Sequence, residues 1–305
     1  MASAANLSSK SPIIVAGPTG VGKSAFAVEL ANRLDGEILG ADAYQVYRGM
    51  EVLTAQPDPG LLSAVPHHLT GFLSPADAFD AARFVSLARE KISEILSRGK
   101  LPIITGGSGL YIKALTHGLA RMPAPDPALR SELIRLSTHE LQQRLRNIDP
   151  NARVDLRNPR RLRRALEISL LAGHPASELR REWHTKAAPE FRGLLLVRDR
   201  TELHARIAAN VRSMFQHGVV AEVGRLAQIG PTAAMAIGLR EIQALRREEL
   251  TEAQCIEAVI LATRRYAKRQ LTWFRNQFNF QIIDLTGLRD TDEIPPRALE
   301  FLGAA

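Results

Sequence analysis

Cysteine is almost absent from this chain of 305 residues, in which Cys255 is the single example. One thiol excludes internal disulfides and any zinc centre built on paired thiolates. No stretch reaches the roughly 18 apolar residues that a membrane-spanning helix needs, so no membrane partner is expected. The first residues lack a basic segment followed by an apolar run, and we therefore expect no signal peptide and a cytoplasmic location.

Acidic residues are outnumbered, since 40 lysines and arginines stand against 32 aspartates and glutamates, a formal net charge of +8. The excess lies in two segments. Residues 153–164 contain six arginines and one acid, and residues 262–276 contain five basic residues and no acid. The other 278 residues carry a net charge of −2. One such segment could be a solvated helix face, but two in one chain favour a nucleic acid as partner.

Short β-branched runs, glycine-rich turns and helical patterns alternate along most of the chain, which predicts a parallel α/β sheet. The predicted strands are 12–16, 37–41, 101–105, 193–197 and 281–285. A proline-rich connector follows residue 120, and the sequence then reads as helix from 128 to 171. We therefore predict an α/β core formed by 1–120 and 192–305, with an all-helical insertion at 121–191.

Residues 17–24 match the G-x-x-x-x-G-K-[ST] phosphate loop in full, and they lie between a predicted strand and a predicted helix. Backbone N–H groups of such a loop converge on phosphate oxygens, Lys23 reaches a terminal phosphate and Ser24 ligates Mg²⁺. The sequence therefore predicts a P-loop NTPase-like core that binds a di- or triphosphate. The phosphate-binding candidates are Gly17, Pro18, Thr19, Gly20, Val21, Gly22, Lys23 and Ser24.

Asp42 follows the second predicted strand, at the edge where open parallel sheets hold their ligands. The residues after it, through Met50, are polar and aromatic in a way that a core is not. A carboxylate in this position could ligate a metal, act as a base toward an acceptor, or cap a turn. The phosphate loop and Asp42 by themselves leave the reaction open.

Further segments match one family in order and spacing over about residues 12–285. Beside the phosphate loop, they are Asp-x-x-Gln-x-Tyr-Arg-Gly-Met at 42–50, Thr54-Ala55, Pro66-His67-His68, Gly-Gly-Ser-Gly-Leu-Tyr at 106–111, Arg-Leu-x-Arg-Ala-Leu-Glu at 161–167, Ala-Ile-Gly at 236–238 and the segment from Ala262 to Trp273. In these the chain resembles the bacterial tRNA dimethylallyltransferases. The resemblance implies dimethylallyl diphosphate as donor, held with Mg²⁺, and adenine 37 of tRNAs that read codons beginning with U as acceptor.

The resemblance also implies a role for individual residues. Asp42 would accept the proton of the adenine amine, Lys23 and Thr19 complete the catalytic candidates, and Arg206 joins the diphosphate-binding set. The candidates for contact with tRNA are Asp42, Ala43, Tyr44, Gln45, Ser108, Arg130, Arg160, Arg161, Leu162, Arg163 and Arg164. The helical insertion would close over the anticodon stem, and we expect a monomer without a protein partner.

The chain departs from the family pattern in four places, three single positions and one short stretch. Ala43 stands where the family has serine, Gln56 where it has lysine, and Asn210 where it has an arginine that helps to hold the diphosphate. The family's His-Pro-Asn-Asp stretch is replaced by residues 155–158. Because Asn210 carries no charge, Arg206 or Arg212 is the candidate for that contact.

Three other functions remain open at this point. An adenylate isopentenyltransferase shares the loop and the chemistry but acts on a free nucleotide, which needs less basic surface than the two segments provide. A P-loop kinase or NTPase needs a second metal-binding acid paired with a catalytic base, and no clear pair of this kind follows an apolar strand, although Asp42 could fill either role. A non-enzymatic RNA-binding protein with a degenerate loop is disfavoured because Lys23 and Ser24 are both present.

Two smaller expectations concern residues outside these candidates. We interpret His67 and His68 as structural residues, since no partner at ligand spacing accompanies them. Of the aromatic residues Tyr266, Trp273 and Phe274 in the second basic segment, we expect at least two in the core.

Overall fold

The computed structural model describes residues 11–119, 122–179, 191–290 and 294–303. The chain divides into two units, which we call the core unit (Met1–Thr116 with Pro189–Ala305) and the helical unit (His117–Ala188). The helical unit overlaps most of the insertion predicted at 121–191. None of the described helices is long and apolar enough to cross a membrane.

Six parallel strands form the sheet of the core unit, in the order β3-β2-β4-β1-β5-β6. The strands are β1 (Ile13–Ala16), β2 (Gly36–Gly40), β3 (His67–His68), β4 (Leu101–Gly106), β5 (Arg192–Val197) and β6 (Gln281–Asp284). At the centre of the sheet, all four residues of β1 are buried. Strand β1 pairs with β4 on one side and with β5 on the other. Its continuous apolar sequence is typical of a parallel strand that is covered on both faces.

Helices connect the strands and build the second unit. They are α1 (Lys23–Leu34), α2 (Pro59–Ala64), α3 (Ala81–Ser97), α4 (Gly109–His117), α5 (Pro127–Ile134), α6 (Thr138–Ile148), α7 (Pro159–Ala172), α8 (Arg200–Gln216), α9 (Val219–Arg225), α10 (Leu239–Arg246), α11 (Glu252–Gln277) and α12 (Pro296–Phe301). A short 3₁₀ turn spans Ala233–Met235. Polar residues at the N-caps fix several starts; the Asp80 carboxylate, for example, accepts from the N–H groups of Ala82 and Arg83 at the start of α3.

The helical unit packs α5, α6 and α7 around an apolar cluster. Its buried members are Leu133, Leu141, Leu145, Leu162, Ala165 and Leu166. The expectation of continuous helix from 128 to 171 is wrong in two places. Ser137 starts α6 with a capping box shared with Glu140, and Pro150 follows the C-cap residue Asp149. A proline disfavours helix in the residue before it, which explains the second break.

The predicted parallel α/β architecture is confirmed, with each of the five predicted strands present to within one residue at either end. The missed elements include β3 and α2. A strand of two residues is too short to show any periodicity, and β3 exists because β2 offers it a free edge. Helix α2 did carry a signal, since Asp58 caps it and Pro59 occupies its first turn.

Candidate functional site

A cavity of about 260 Å³ lies at the carboxyl ends of β2 and β4, beside the loop that follows β1. This is the edge of an open parallel sheet where ligands bind. Its wall includes the phosphate-loop residues Lys23 and Ser24 together with Asp42. The fold therefore brings the phosphate loop and Asp42 into one cavity.

The phosphate loop joins β1 to α1 through two glycines in the left-handed region. Gly20 has φ of 82° and Gly22 has φ of 104°, conformations that cost glycine little and other residues more. Gly22 is the N-cap of α1. The positive end of the helix dipole and the unpaired N–H groups of the first turn therefore lie at the cavity, where they favour an anion.

Lys23 is partly buried and bends back over its own loop, where its Nζ donates to the Pro18 carbonyl at 3.0 Å. Burial lowers the pKa of Lys23 to about 8, although the negative charge of Asp42 acts in the opposite direction. A diphosphate would offer this ammonium a stronger counter-charge and new acceptors. The arrangement thus gives Lys23 more to gain from an entering anion than an exposed lysine would have.

Asp42 has a structural contact as well as a place in the cavity. Its Oδ1 accepts from the backbone N–H of Tyr44 at 2.9 Å and of Gln45 at 3.3 Å, so the turn-capping interpretation is confirmed. The two hydrogen bonds orient the carboxylate, which is what a base needs before an acceptor arrives. Capping and proton transfer are therefore compatible roles for the same group.

The segment 42–45, predicted to contact RNA, is held in place by hydrogen bonds to other parts of the protein. The N–H of Ala43 donates to the Ser108 Oγ at 2.9 Å, and Ser108 is almost fully buried. The Gln45 side-chain amide donates to the Ala55 carbonyl at 2.7 Å. Ser108 and Gln45 therefore support the shape of this segment through contacts within the protein.

Arg206 lies beside the phosphate loop, and Arg212 does not. The Nε of Arg206 donates to the Gly20 carbonyl at 3.0 Å, and its Nη2 pairs with both carboxylate oxygens of Asp290 at 2.7 and 2.5 Å. Arg206 and Asn210 both line the cavity, whereas Arg212 lies outside its wall. Of the two candidates to compensate for Asn210, only Arg206 has the required position.

Gln270, which the sequence reasoning quoted but gave no role, joins two loops of the site. Its Oε1 accepts from the Thr19 N–H at 2.9 Å, and its Nε2 donates to the Gly107 carbonyl at 2.9 Å. The side chain is 5% exposed. Its only sequence signal was its place within the segment from Ala262 to Trp273, which does not reveal a contact with residues so far away along the chain.

Arg198 is a second residue that the sequence reasoning missed. Its guanidinium is buried, where it donates to the carbonyls of Val21 at 2.8 Å, Leu285 at 2.5 Å and Leu288 at 2.7 Å. These bonds fasten the phosphate loop to the chain that follows β6. A cation placed directly after the buried strand β5 was the available signal.

Glu222 holds another wall of the cavity. Its carboxylate, on α9, accepts from the N–H groups of Val52 at 2.9 Å and Leu53 at 2.8 Å. Burial raises the pKa of Glu222, while these two hydrogen bonds oppose the rise. Leu53 lines the cavity, so Glu222 shapes the site from behind.

In the helical unit, two of the predicted RNA contacts are bound to a buried acid. Arg130 donates to the Glu167 carboxylate at 2.8 and 3.2 Å, and Arg164 donates to it at 2.7 Å. Glu167 is 1% exposed. Burial alone would raise the pKa of Glu167, but the hydrogen bonds from the two arginines lower it below its ordinary value. The three side chains form an ion cluster in which the acid is buried and the two arginines are partly exposed.

Leu162 needs a correction among the predicted RNA contacts. Its side chain is fully buried in the apolar cluster of the helical unit, so it is not available to RNA. Arg160 and Arg161 are exposed on the first turn of α7, and Arg163 is half-buried. The exposed arginines of this helix therefore lie in its first, N-terminal turn.

The second basic segment occupies the C-terminal half of α11. Its exposed members are Arg265, Lys268, Arg269 and Arg275. Phe274 is fully buried, but Tyr266 and Trp273 are only partly so. The expectation that at least two of these aromatic residues lie in the core is wrong. Tyr266 instead lines the cavity.

His67 and His68 make ordinary structural contacts. The Nε2 of His68 lies 2.7 Å from the Glu37 carboxylate, to which Arg98 also donates, and the Nδ1 of His67 lies 2.8 Å from the Val65 carbonyl. Among the described residues, no group of three or more histidine, cysteine, aspartate or glutamate side chains could hold a metal. The contacts of the two histidines with Glu37 and Val65 agree with a structural role for this pair.

The parallel sheet, the glycine loop between β1 and α1 and the anion-favouring cavity define an α/β protein of the P-loop NTPase-like class. The family model of the IPP transferases matches residues 45–277. The tRNA dimethylallyltransferase of Akkermansia muciniphila is 43% identical over 293 residues, which are 95% of this chain and 99% of that relative. That of Anaeromyxobacter dehalogenans is 44% identical over 276 residues, or 87% and 92% of the two chains. The chain belongs to the IPP transferase family.

Solved structures agree with this assignment. The tRNA isopentenylpyrophosphate transferase of Bacillus halodurans superposes with a TM-score of 0.69 at 33% identity, over 96% of this chain and 95% of that one. A eukaryotic dimethylallyltransferase acting on tRNA superposes with a TM-score of 0.79 at 25% identity, over 94% and 77% of the two chains. The matched family range begins after Asp42, so the roles of the phosphate loop and Asp42 depend on the geometry described above.

Proposed function

We propose that this protein transfers a dimethylallyl group from dimethylallyl diphosphate to the N6 amine of adenine 37, the base 3′ of the anticodon, in tRNAs that read codons beginning with U. One observation carries the proposal: the phosphate loop with Lys23 and the carboxylate of Asp42 share a single cavity of about 260 Å³. A diphosphate held by the loop and an amine held by Asp42 would meet there. The relatives' names supply the acceptor class.

The reaction is a substitution at one carbon. The N6 nitrogen attacks C1 of the donor, the bond between C1 and oxygen breaks, and diphosphate leaves with the bonding electrons. Asp42 accepts the N6 proton, and Lys23 and the loop N–H groups offset the charge on the departing oxygens. An aromatic amine is a weak nucleophile, so alignment and leaving-group stabilisation supply more of the rate than the base does. The base must leave its stack to reach the cavity.

The residues at the loop fit Mg²⁺. Ser24 lines the cavity, and the Oγ1 of Thr105 in the same wall is buried without a hydrogen-bond partner in the described part of the chain. Mg²⁺ is usually held by few protein oxygens together with substrate phosphates and water. Ser24 and the donor phosphates would hold it, and when bound it neutralises charge on the leaving diphosphate.

Transfer assays test the proposal. The protein is incubated with Mg²⁺, labelled dimethylallyl diphosphate and one of three acceptors: an anticodon stem-loop with adenine 37, the same stem-loop with guanine 37, or AMP. We expect label only in the first. Label in AMP and not in RNA would instead identify an adenylate isopentenyltransferase. ATP hydrolysis with no transfer to any acceptor would overturn the prenyltransferase proposal. A separate measurement, sedimentation of the active species, tests the expected monomer.

A further inference from the structure

Gln270 connects the donor side of the cavity to the acceptor side. Its amide bridges the Thr19 N–H and the Gly107 carbonyl with two hydrogen bonds of 2.9 Å, shielded from solvent. We propose that Gln270 is a positioning residue that sets the distance between the phosphate loop and the Asp42 segment. This inference rests on the proposed function, because it concerns the alignment of the same two substrates.

The link continues on the acceptor side through Ser108. Ser108 directly follows Gly107, and its Oγ accepts from the N–H of Ala43, the residue after Asp42. Tyr266, one helical turn before Gln270 on α11, lines the same cavity. One face of α11 therefore holds the turn that supports the Asp42 segment.

On the donor side, Gln270 binds the backbone N–H of Thr19, a group that a phosphate loop would ordinarily direct to its anion. Since the Thr19 N–H donates to Gln270, it is not among the groups that receive the diphosphate. The contact fixes the orientation of the Thr19 peptide instead. Thr19 lines the cavity, so a shift of this peptide moves the loop against whatever the loop holds.

Gly107 is part of the arrangement because it leaves room for the amide. A Cβ on Gly107 would lie 2.2 Å from the Nε2 of Gln270. The Gly107→Ala change would therefore push the flexible end of Gln270 aside. It would not disturb the backbone, since the nearest backbone atom to that Cβ, the Gly17 carbonyl oxygen, lies 3.5 Å away. We expect it to reproduce the loss of Gln270, and the double variant with Gln270→Leu to be no worse than either single variant.

The first measurement compares Gln270→Leu with wild type. Displacements of about 1 Å in a reacting pair cost on the order of 100-fold in rate, so we expect kcat to fall by about that factor while the KM values for both substrates change less than about threefold. Gln216→Leu makes the same chemical change at an exposed position of α8, outside the cavity wall, and should leave kcat and both KM values at wild-type levels.

The second measurement uses Gln270→Glu, which has the shape of glutamine. Ionised, it can accept from Thr19 but repels the Gly107 carbonyl; protonated, it can donate to that carbonyl and restore both bonds. Burial favours the protonated form. Relative to wild type at each pH, the activity of Gln270→Glu should therefore rise as the pH falls, while that of Gln270→Leu should not.

Three results would overturn the inference: a folded Gln270→Leu variant with kcat within threefold of wild type, a loss of rate that lies wholly in the donor KM, or a Gln270→Glu profile parallel to wild type. Amide exchange at Thr19 gives a readout without activity. It should be slow in wild type and faster in Gln270→Leu. If wild type transfers no prenyl group, the proposed function fails, and Thr19 exchange still decides whether the bridge exists.

Discussion

The two units use their buried charges for different purposes. In the core unit, Lys23 and Asp42 share a cavity wall, and burial lowers the pKa of Lys23 to about 8 because its counter-charge is incomplete. In the helical unit, Glu167 is buried with two arginines donating to it, and these hydrogen bonds lower its pKa. Incompletely paired charge is typical of a binding site, and saturated charge is typical of a structural ion cluster.

The largest effect should come from the core unit. Asp42→Asn keeps an oxygen acceptor for the turn but removes the base, and we expect kcat to fall by about 10³-fold, within the usual range for loss of a general base. Donor affinity and thermal stability should change little. The comparison with Asp42→Ala, which also loses the two turn contacts, separates the roles. Transfer by Asp42→Asn within tenfold of wild type would refute the base assignment.

Stability should respond most in the helical unit. Glu167→Gln leaves two arginines without their counter-charge, and we expect a loss of about 2 kcal/mol in urea unfolding, below the range for a fully buried pair because the arginines are partly exposed. Since the folded-state pKa of Glu167 lies below its ordinary value, its contribution is complete above the ordinary pKa and fades as the pH falls through the lowered one.

Glu132→Gln is the matched control for that change. Glu132 is exposed, and its Oε1 lies 3.7 Å from the Nη1 of Arg144. Loss of this ion pair should therefore cost under about 0.5 kcal/mol in urea unfolding. If both variants lose the same stability, the distinction between buried and exposed ion pairs in this unit is wrong.

Donor binding should depend on pH through Lys23. An anion favours the charged lysine, which is lost as the pH rises through about 8, so donor affinity should fall roughly tenfold between pH 7 and pH 9. Lys23→Arg keeps its charge over that range, and its affinity, whatever its absolute value, should be flat. A wild-type affinity that does not change across this interval would contradict the incomplete pairing of Lys23.

The smallest effect should come from the exposed arginines of α7. Arg160→Ala and Arg161→Ala should each weaken tRNA binding by about fivefold and reduce the salt slope of log Kd by about 1, with kcat unchanged. Arg33→Ala removes one charge from an exposed ion pair in the core unit and should leave the slope as it is. If all three variants have the same salt slope of log Kd, α7 is not part of the surface that binds RNA.

The sequence was sufficient for five of the six strands and for the two site features, because each of these produces a local pattern. The phosphate loop has a fixed spacing, and Asp42 follows a strand. Gln270 and Arg198 were missed because their partners Thr19 and Val21 lie 251 and 177 positions away, and no local pattern encodes such contacts.

The arginine segment shows where reasoning from charge stops. Counting charges could not tell exposed Arg160 from Arg164, which is half-buried and bonded to the buried Glu167. The i,i+3 spacing of Arg164 and Glu167 was a visible sign of pairing, but the buried position of Leu162 follows only from the packing of three helices.

The strand order has a consequence for synthesis of the chain. Strand β1 is made first, and its partner β5 follows only after the entire helical unit. Until then one edge of β1 offers unpaired N–H and C=O groups, which is a template for association with other chains. The nascent protein therefore carries an open sheet edge for as long as the ribosome takes to make the helical unit, and the exposure ends only when β5 has been made and pairs with β1.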